Sequence, residues 1–198
     1  MKSFILALLA LVLTLPLRAD NVLQNGDFTD GISHWHGDGR SAADFASDNP
    51  LGSSGDSLTS KGMIIPLKHT AWVKVLQDFK APSPGATLTI TYMSSPDLAL
   101  STKDEDYSMF PMCLDMMWKS KQIKPNQWTA GVYANGGDME KGHIGGLSLF
   151  PPPTTPAKPQ TVTVNFKDLV PSSPYTVILA FPPGTGTIVI LNVSLAGS

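Results

Sequence analysis

Hydrophobic and polar residues alternate with period two over several short stretches of this chain. In "ATLTITYM" (86–93), Leu88, Ile90 and Tyr92 fall on one face and Thr87, Thr89 and Thr91 on the other. That is the pattern of a half-buried strand. "WVKVLQDF" (72–79) sets Val73, Val75, Gln77 and Phe79 opposite Trp72, Lys74, Leu76 and Asp78, and "TVTVNF" (161–166) aligns Val162, Val164 and Phe166. "MFPMCLDMMW" (109–118) reads as a further strand, with Phe110, Met112, Leu114, Met116 and Trp118 sharing a face. "YTVILAF" (175–181) and "TIVILNVSL" (187–195) are apolar on both faces, and the short "PPGTG" between them predicts an antiparallel hairpin.

Between these stretches, "SSPDLALSTKDEDYS" (94–108) reads as a long polar loop and "FPPPTTPAKP" (150–159) as a proline-rich connector. Helical periodicity is absent, and glutamate occurs only at positions 105 and 140. Short strands separated by Gly and Pro turn signals predict an all-β fold, a β-sandwich of two antiparallel sheets. Neither the loop nor the connector marks a domain boundary, because strands on both sides are needed to close one core.

The first residues change the picture of where the chain works. Lys2, the apolar "FILALLALVLTLPL" and the small Ala19 read as an export signal, residues 1–19, with an uncleaved anchor as the alternative. Residues 20–198 then form one domain, secreted or periplasmic, with no membrane span once the leader is removed. The chain has 14 basic and 16 acidic residues; losing Lys2 and Arg18 leaves 12 against 16, a charge of −4. No basic patch is visible, so nucleic acid is excluded as a partner. Cys113 is the only cysteine, so no internal disulfide forms, and a buried structural thiol is its simplest reading.

Two stretches invite a catalytic or metal reading. Gly55-Asp56-Ser57-Leu58 matches the block carrying the nucleophilic serine of an esterase family. Such a serine needs a buried strand ahead of it and a downstream His as base. Here "ASDNPLGSSG" precedes it, and His143 follows Asp138 at the wrong spacing, so Ser57 reads as a loop serine. His34 and His36 flank Trp35 and alternate onto one strand face; with His69 or Asp38 they would make a three-ligand metal site. Two solvent-facing polar residues around a buried Trp explain the same pattern.

"NVLQNGDFTDGISHWHG" (21–37) resembles the opening signature of carbohydrate-binding modules of the family 4/9/16/22 type. "WVKVLQDFKAPSPGATLTITY" resembles their next block, a strand with a Gln before its last apolar residue, then a Pro-Gly turn and an alternating strand. "GTIVILNVSLAGS" resembles their final strand, which returns beside the first. The resemblance implies a jelly-roll sandwich of galactose-binding-like topology, with Phe28 and Trp35 in the core and a tight turn at Asn25-Gly26. It also implies a structural calcium bound by the first turn and the last strand. This chain departs from the pattern, with Thr29 where an acidic residue is usual and Leu191-Asn192 where an acidic pair is usual. Asp27, Asp30 and Asn192 remain as a reduced calcium site with fewer anionic oxygens.

Modules of this kind stack aromatic rings on sugars and bind the hydroxyls with polar groups, the mixture usual in small-ligand sites. Trp72, Trp128 and Tyr133 are the candidate platforms. Trp72 lies opposite the apolar face of its strand, and Trp128 and Tyr133 sit in the loop-like, amide-rich "KPNQWTAGVYANGGD". Trp118 reads as core. The resemblance thus implies an exported, non-catalytic protein with a polysaccharide or glycan as partner. The alternative is a secreted structural or protein-interaction sandwich, for adhesion, envelope or complex assembly, without sugar affinity.

Overall fold

Three β-strands carry the clearest alternation in the computed structural model, which describes residues 20–31, 33–37, 62–67, 72–108, 124–134, 144–153 and 155–198. After a short β1 (His36–Gly37) and β2 (Met63–Pro66), β3 (Val73–Lys80) buries Val73, Val75, Gln77 and Phe79 and turns the residues between them outward. β4 (Ala86–Ser94) sends Leu88, Ile90 and Tyr92 inward, and β8 (Gln160–Phe166) does the same with Val164 and Phe166. The expected faces of all three strands are those observed.

Among the described residues the remaining strands are β5 (Ala99–Leu100), β6 (Trp128–Ala134), β7 (Ile144–Phe150), β9 (Pro174–Phe181), β10 (Gly184–Thr185) and β11 (Thr187–Gly197), with one short helix, α1 (Asp104–Ser108). They form a five-stranded sheet in the order β1-β3-β9-β6-β7, a four-stranded sheet in the order β2-β11-β4-β8, and a small β10-β5 pair. Every pairing is antiparallel. Inward residues of both large sheets join in one apolar core that includes Phe28, Trp35, Trp128, Phe166 and Phe181. This is the predicted two-sheet sandwich.

The predicted hairpin between 175–181 and 187–195 does not form. β9 pairs with β3 and β6, whereas β11 pairs with β2 and β4 in the other sheet. Residues 177–181 of β9 and 188–190 of β11 are buried on both faces, and the short connector crosses between the sheets. The expected loop at 94–108 holds β5 and α1 instead. Its Tyr107 hydroxyl donates to the Ser101 carbonyl (2.7 Å) and accepts from the Asn126 N–H (2.8 Å), which ties α1 down. The connector after β7 is irregular as expected, and its Ala157 N–H reaches the Ser94 carbonyl (2.8 Å). The expected strand at 109–118, with Cys113 and Trp118, and the leader, Ser57, Asp38, His69 and His143 all lie outside the described residues.

The opening segment locks onto the last strand. Val22 N–H donates to the Leu195 carbonyl (2.9 Å) and Val193 N–H to the Gly26 carbonyl (2.8 Å). The Asn21 side chain imitates a further peptide unit. Its Oδ1 accepts from Leu195 N–H (2.8 Å) and its Nδ2 donates to the Val193 carbonyl (3.2 Å). From the opposite sheet, buried Gln77 accepts from Gln24 N–H (2.7 Å) and donates to the Gln24 carbonyl (2.9 Å). The turn beyond uses Asn25 at φ 49° and, less commonly, Phe28 at φ 55°. A left-handed backbone at a bulky residue costs roughly 1–2 kcal/mol, and complete burial of the Phe28 ring, with Trp35 at 5.7 Å, offsets it.

Candidate functional site

The strand alternation that fills the core leaves a second set of side chains on the outward face of the five-stranded sheet. Register aligns them in rows across β3, β9 and β6. One row is Asp78–Thr176–Tyr133, the next Leu76–Ile178–Gly131, and the third Lys74–Ala180–Thr129. β1 adds His36 beside Leu76. The floor of this face is closely covered, with Thr129 and Ala180 at 0% exposure and Ile178 at 8%. Lys74, Leu76, Thr176 and Tyr133 are half-buried, and His36 and Asp78 are exposed.

Thr176 Oγ1 donates to Asp78 Oδ1 (2.7 Å), which fixes the polar row next to the Tyr133 ring. Thr129 Oγ1 is buried without a hydrogen-bond partner, a costly state for a hydroxyl. An apolar floor, a phenol ring and a few polar groups are the mixture that holds a polar small ligand.

The three aromatic residues predicted from the sequence do not meet. Trp128 lies on β6, not in a loop, and is completely buried. It packs on Phe150 (4.8 Å), Tyr92 (4.9 Å) and Phe181 (5.2 Å) and so offers no face to a ligand. Tyr133 follows it by five positions, and an odd separation along a strand sends the two to opposite faces. Trp72 is half-buried against α1, where its indole N–H donates to the Asp106 carbonyl (2.7 Å) and its ring meets Tyr107 edge-on (5.5 Å). Asp78, the β3 member of the Tyr133 row, lies six positions beyond Trp72 along the chain. At the rise of a strand that is roughly 20 Å. Leu76, Ile178 and Thr129, which build the face around Tyr133, carried no sequence signal, because their grouping depends on which strands lie side by side.

Of the expected calcium residues, Asp27 and Asn192 meet in one cleft and Asp30 stays outside it. A cleft of about 550 Å³ between the opening segment and β11 is lined by Asp27 and Asn192 together with Asn21 and Asn25, but not by Asp30. Asp20 and Ser194 line it too, and the Asn21, Asn25 and Asp27 side chains are engaged within the fold. Asn21 bonds the backbone of β11, Asn25 Nδ2 donates to the carbonyls of Gly31 (2.9 Å) and Ser33 (3.1 Å), and Asp27 Oδ1 accepts from the Thr29 hydroxyl (3.0 Å). Thr29, where the resembled family is acidic, thus ties up the neighbouring carboxylate. Asp30 is exposed, with its N–H held by Asn25 Oδ1 (3.0 Å). Among the described residues no group of three His, Cys, Asp or Glu side chains is arranged to hold a metal. His34, at φ 71°, sits in a turn and not on a strand, so it does not share a strand face with His36 as the alternation suggested. Both are exposed around buried Trp35.

No protein-family profile and no curated protein matches the sequence. Solved structures do match in three dimensions. A family 61 carbohydrate-binding module solved with β-1,4-galactotriose superposes with a TM-score of 0.53 at 12% identity, over 91% of this chain and 100% of its own. A family 4 carbohydrate-binding module gives 0.52 at 13% identity, over 88% and 99%. The chain has the jelly-roll fold of carbohydrate-binding modules. The enzymatically active domain of tailspike protein 4 of bacteriophage CBA120 contains a similar unit, with a TM-score of 0.50 at 12% identity, over 90% of this chain and 21% of that protein. The module fold accounts for the blocks recognised in the sequence. Asn25-Gly26 makes the first turn, Gln77 is the glutamine that grips the opening segment, and residues 193–195 run beside it.

Proposed function

We propose that residues 20–198 form one exported, non-catalytic glycan-binding module, released from the leader at residues 1–19, whose ligand lies against the outward face of the five-stranded sheet at Tyr133. The observation that carries this reading is the row Asp78–Thr176–Tyr133 beside half-buried Leu76. The phenol ring supplies a face for a pyranose, and Thr176 and Asp78, one and two strands along the same row, supply groups suited to sugar hydroxyls. The jelly-roll fold shared with binding modules supports the same reading.

Affinity electrophoresis tests it. The mature protein should be retarded by at least one polymer among β-galactan, β-glucan, xylan, mannan and pectin. Tyr133→Ala should weaken that retardation about tenfold, or about 1.4 kcal/mol. One observation favours the second reading, a protein-interaction sandwich: Trp72 and Trp128 are taken up by α1 and the core, which leaves Tyr133 as the platform. Mobility unchanged by every polymer decides for that reading. N-terminal sequencing of exported protein should begin at Asp20; a chain still starting at Met1 refutes leader removal.

A further inference from the structure

Two independent demands of the fold place an asparagine directly before a glycine in the first turn. Position 25 has a left-handed backbone, φ 49°, which asparagine tolerates better than most side chains. Its carboxamide is also fully used. Nδ2 donates to the carbonyls of Gly31 (2.9 Å) and Ser33 (3.1 Å), and Oδ1 accepts from the Asp30 N–H (3.0 Å). Position 26 has no room for a side chain, because a Cβ there would sit 2.0 Å from the Val193 carbonyl oxygen of β11. Asn25-Gly26 meets both demands and brings a chemical liability with it.

In an asparagine–glycine pair the glycine backbone nitrogen can attack the asparagine Cγ. The new N–C bond closes a succinimide ring, the Cγ–Nδ2 bond breaks and ammonia leaves. Water then opens the ring at either carbonyl, giving aspartate or isoaspartate. Solvent is the only co-reactant, and glycine leaves the attacking nitrogen unhindered. The fold opposes each part of that motion. The carboxamide would have to swing onto the following peptide and give up its bonds to Gly31, Ser33 and Asp30. That peptide is itself pinned, since the Asn25 carbonyl accepts from the Phe28 N–H (3.2 Å) and the Trp35 indole N–H (3.2 Å). The Gly26 carbonyl accepts from the Val193 N–H (2.8 Å), and Gly26 is buried. Ring closure therefore requires the opening segment to come off β11 first, a local opening short of global unfolding.

We infer that Asn25 is a one-way modification site, silent while the opening segment is docked on β11 and deamidated when it detaches. The product cannot return to the same turn. A carboxylate at position 25 has no hydrogen to give the Gly31 and Ser33 carbonyls, and it sets a negative charge against their oxygens. Isoaspartate also lengthens the main chain by a methylene, which moves Gly26 out of register with Val193. Each reaction thus removes the fastening between the first turn and the last strand for good. The inference holds whether or not the protein binds a glycan.

Peptide mapping by mass spectrometry, with isoaspartate separated from aspartate, tests it on the full mature protein held at mildly alkaline pH. In concentrated urea Asn25 should react at a rate similar to Asn135, the chain's other asparagine followed by glycine, which lies outside the described residues. In buffer Asn25 should react at least about a hundredfold more slowly than in urea, because only the open fraction reacts. Gln77→Leu removes the bonds that hold Gln24 and should raise the rate in buffer about tenfold. If that variant fails to fold, wild type in urea below its unfolding midpoint should show the same acceleration, in step with amide exchange at Val193. Asn25→Asp reproduces the main-chain-intact product, and its Val193 amide should exchange at least about tenfold faster than in wild type. An Asn25 rate in buffer equal to that in urea overturns the inference. So does an Asn25→Asp protein whose Val193 amide is as well protected as in wild type.

Discussion

Replacing Gln77 by Leu removes the clamp between the sheets and isolates its energetic weight. Gln77 is 2% exposed and makes two hydrogen bonds to one peptide unit, accepting from Gln24 N–H and donating to the Gln24 carbonyl. Each such bond contributes about 0.5–1.5 kcal/mol, and a buried group left unpaired costs about 1–3 kcal/mol. The added apolar burial returns about 1 kcal/mol. The net loss expected is about 2 kcal/mol, or a fall in Tm of about 4–8 °C for a domain of this length.

Urea unfolding followed by tryptophan fluorescence measures the loss, and amide exchange at Gln24, Val22 and Val193 should quicken before the rest of β11. Gln77→Glu adds a sign to the test. The introduced carboxylate would face the Gln24 carbonyl while buried, so its folded pKa lies above the unfolded value of about 4.3. Stability is then fully present below that value and declines as the pH rises through the folded pKa. The variant should approach wild type at pH 4 and fall behind it at pH 7. A loss under about 0.5 kcal/mol for Gln77→Leu, with exchange at Gln24 unchanged, refutes the clamp.

Trp128→Ala should cost about 3–5 kcal/mol as a core deletion, read by thermal melting. Lost polymer retardation at unchanged Tm would contradict the buried placement. Gly26→Ala should destabilise by more than about 2 kcal/mol, because the added Cβ would collide with the Val193 carbonyl that flanks the opening segment; urea midpoints check it. Burial raises the Tyr107 hydroxyl above its ordinary pKa of 10.0, with the Asn126 and Gln127 amides partly opposing, and burial raises Tyr92 too. Their contribution to stability is complete below pH 10.0 and declines as pH climbs through the folded values. Alkaline unfolding should therefore begin above pH 10, and Tyr107→Phe should be less stable than wild type at pH 7 but lose less stability on going to pH 11. EDTA should barely move Tm, since no group of three His, Cys, Asp or Glu side chains among the described residues is arranged to hold a metal; a drop of about ten degrees would show a bound structural cation.

Period-two alternation was enough to assign the inward residues of β3, β4 and β8, because side-chain direction in a strand is a local property. The jelly roll was implied by the resemblance of the blocks at 21–37, 72–92 and 186–198 to carbohydrate-binding modules, which consecutive residues carry. Pairing is not local. Two strands apolar on both faces and joined by five residues predicted a hairpin, and only the partners β3, β6, β2 and β4 showed that β9 and β11 part.

The site depended still more on the third dimension. Trp128 and Tyr133 looked equivalent in an amide-rich stretch until β6 became a strand and their odd spacing divided them between core and outward face. Trp72 left the core of β3 as its alternation required, but its cover by α1 came from a segment that read as loop. The sequence by itself determined which side chains could be buried. Which of them came to share a face was decided by strand order and register, which depend on the packing of the whole sandwich.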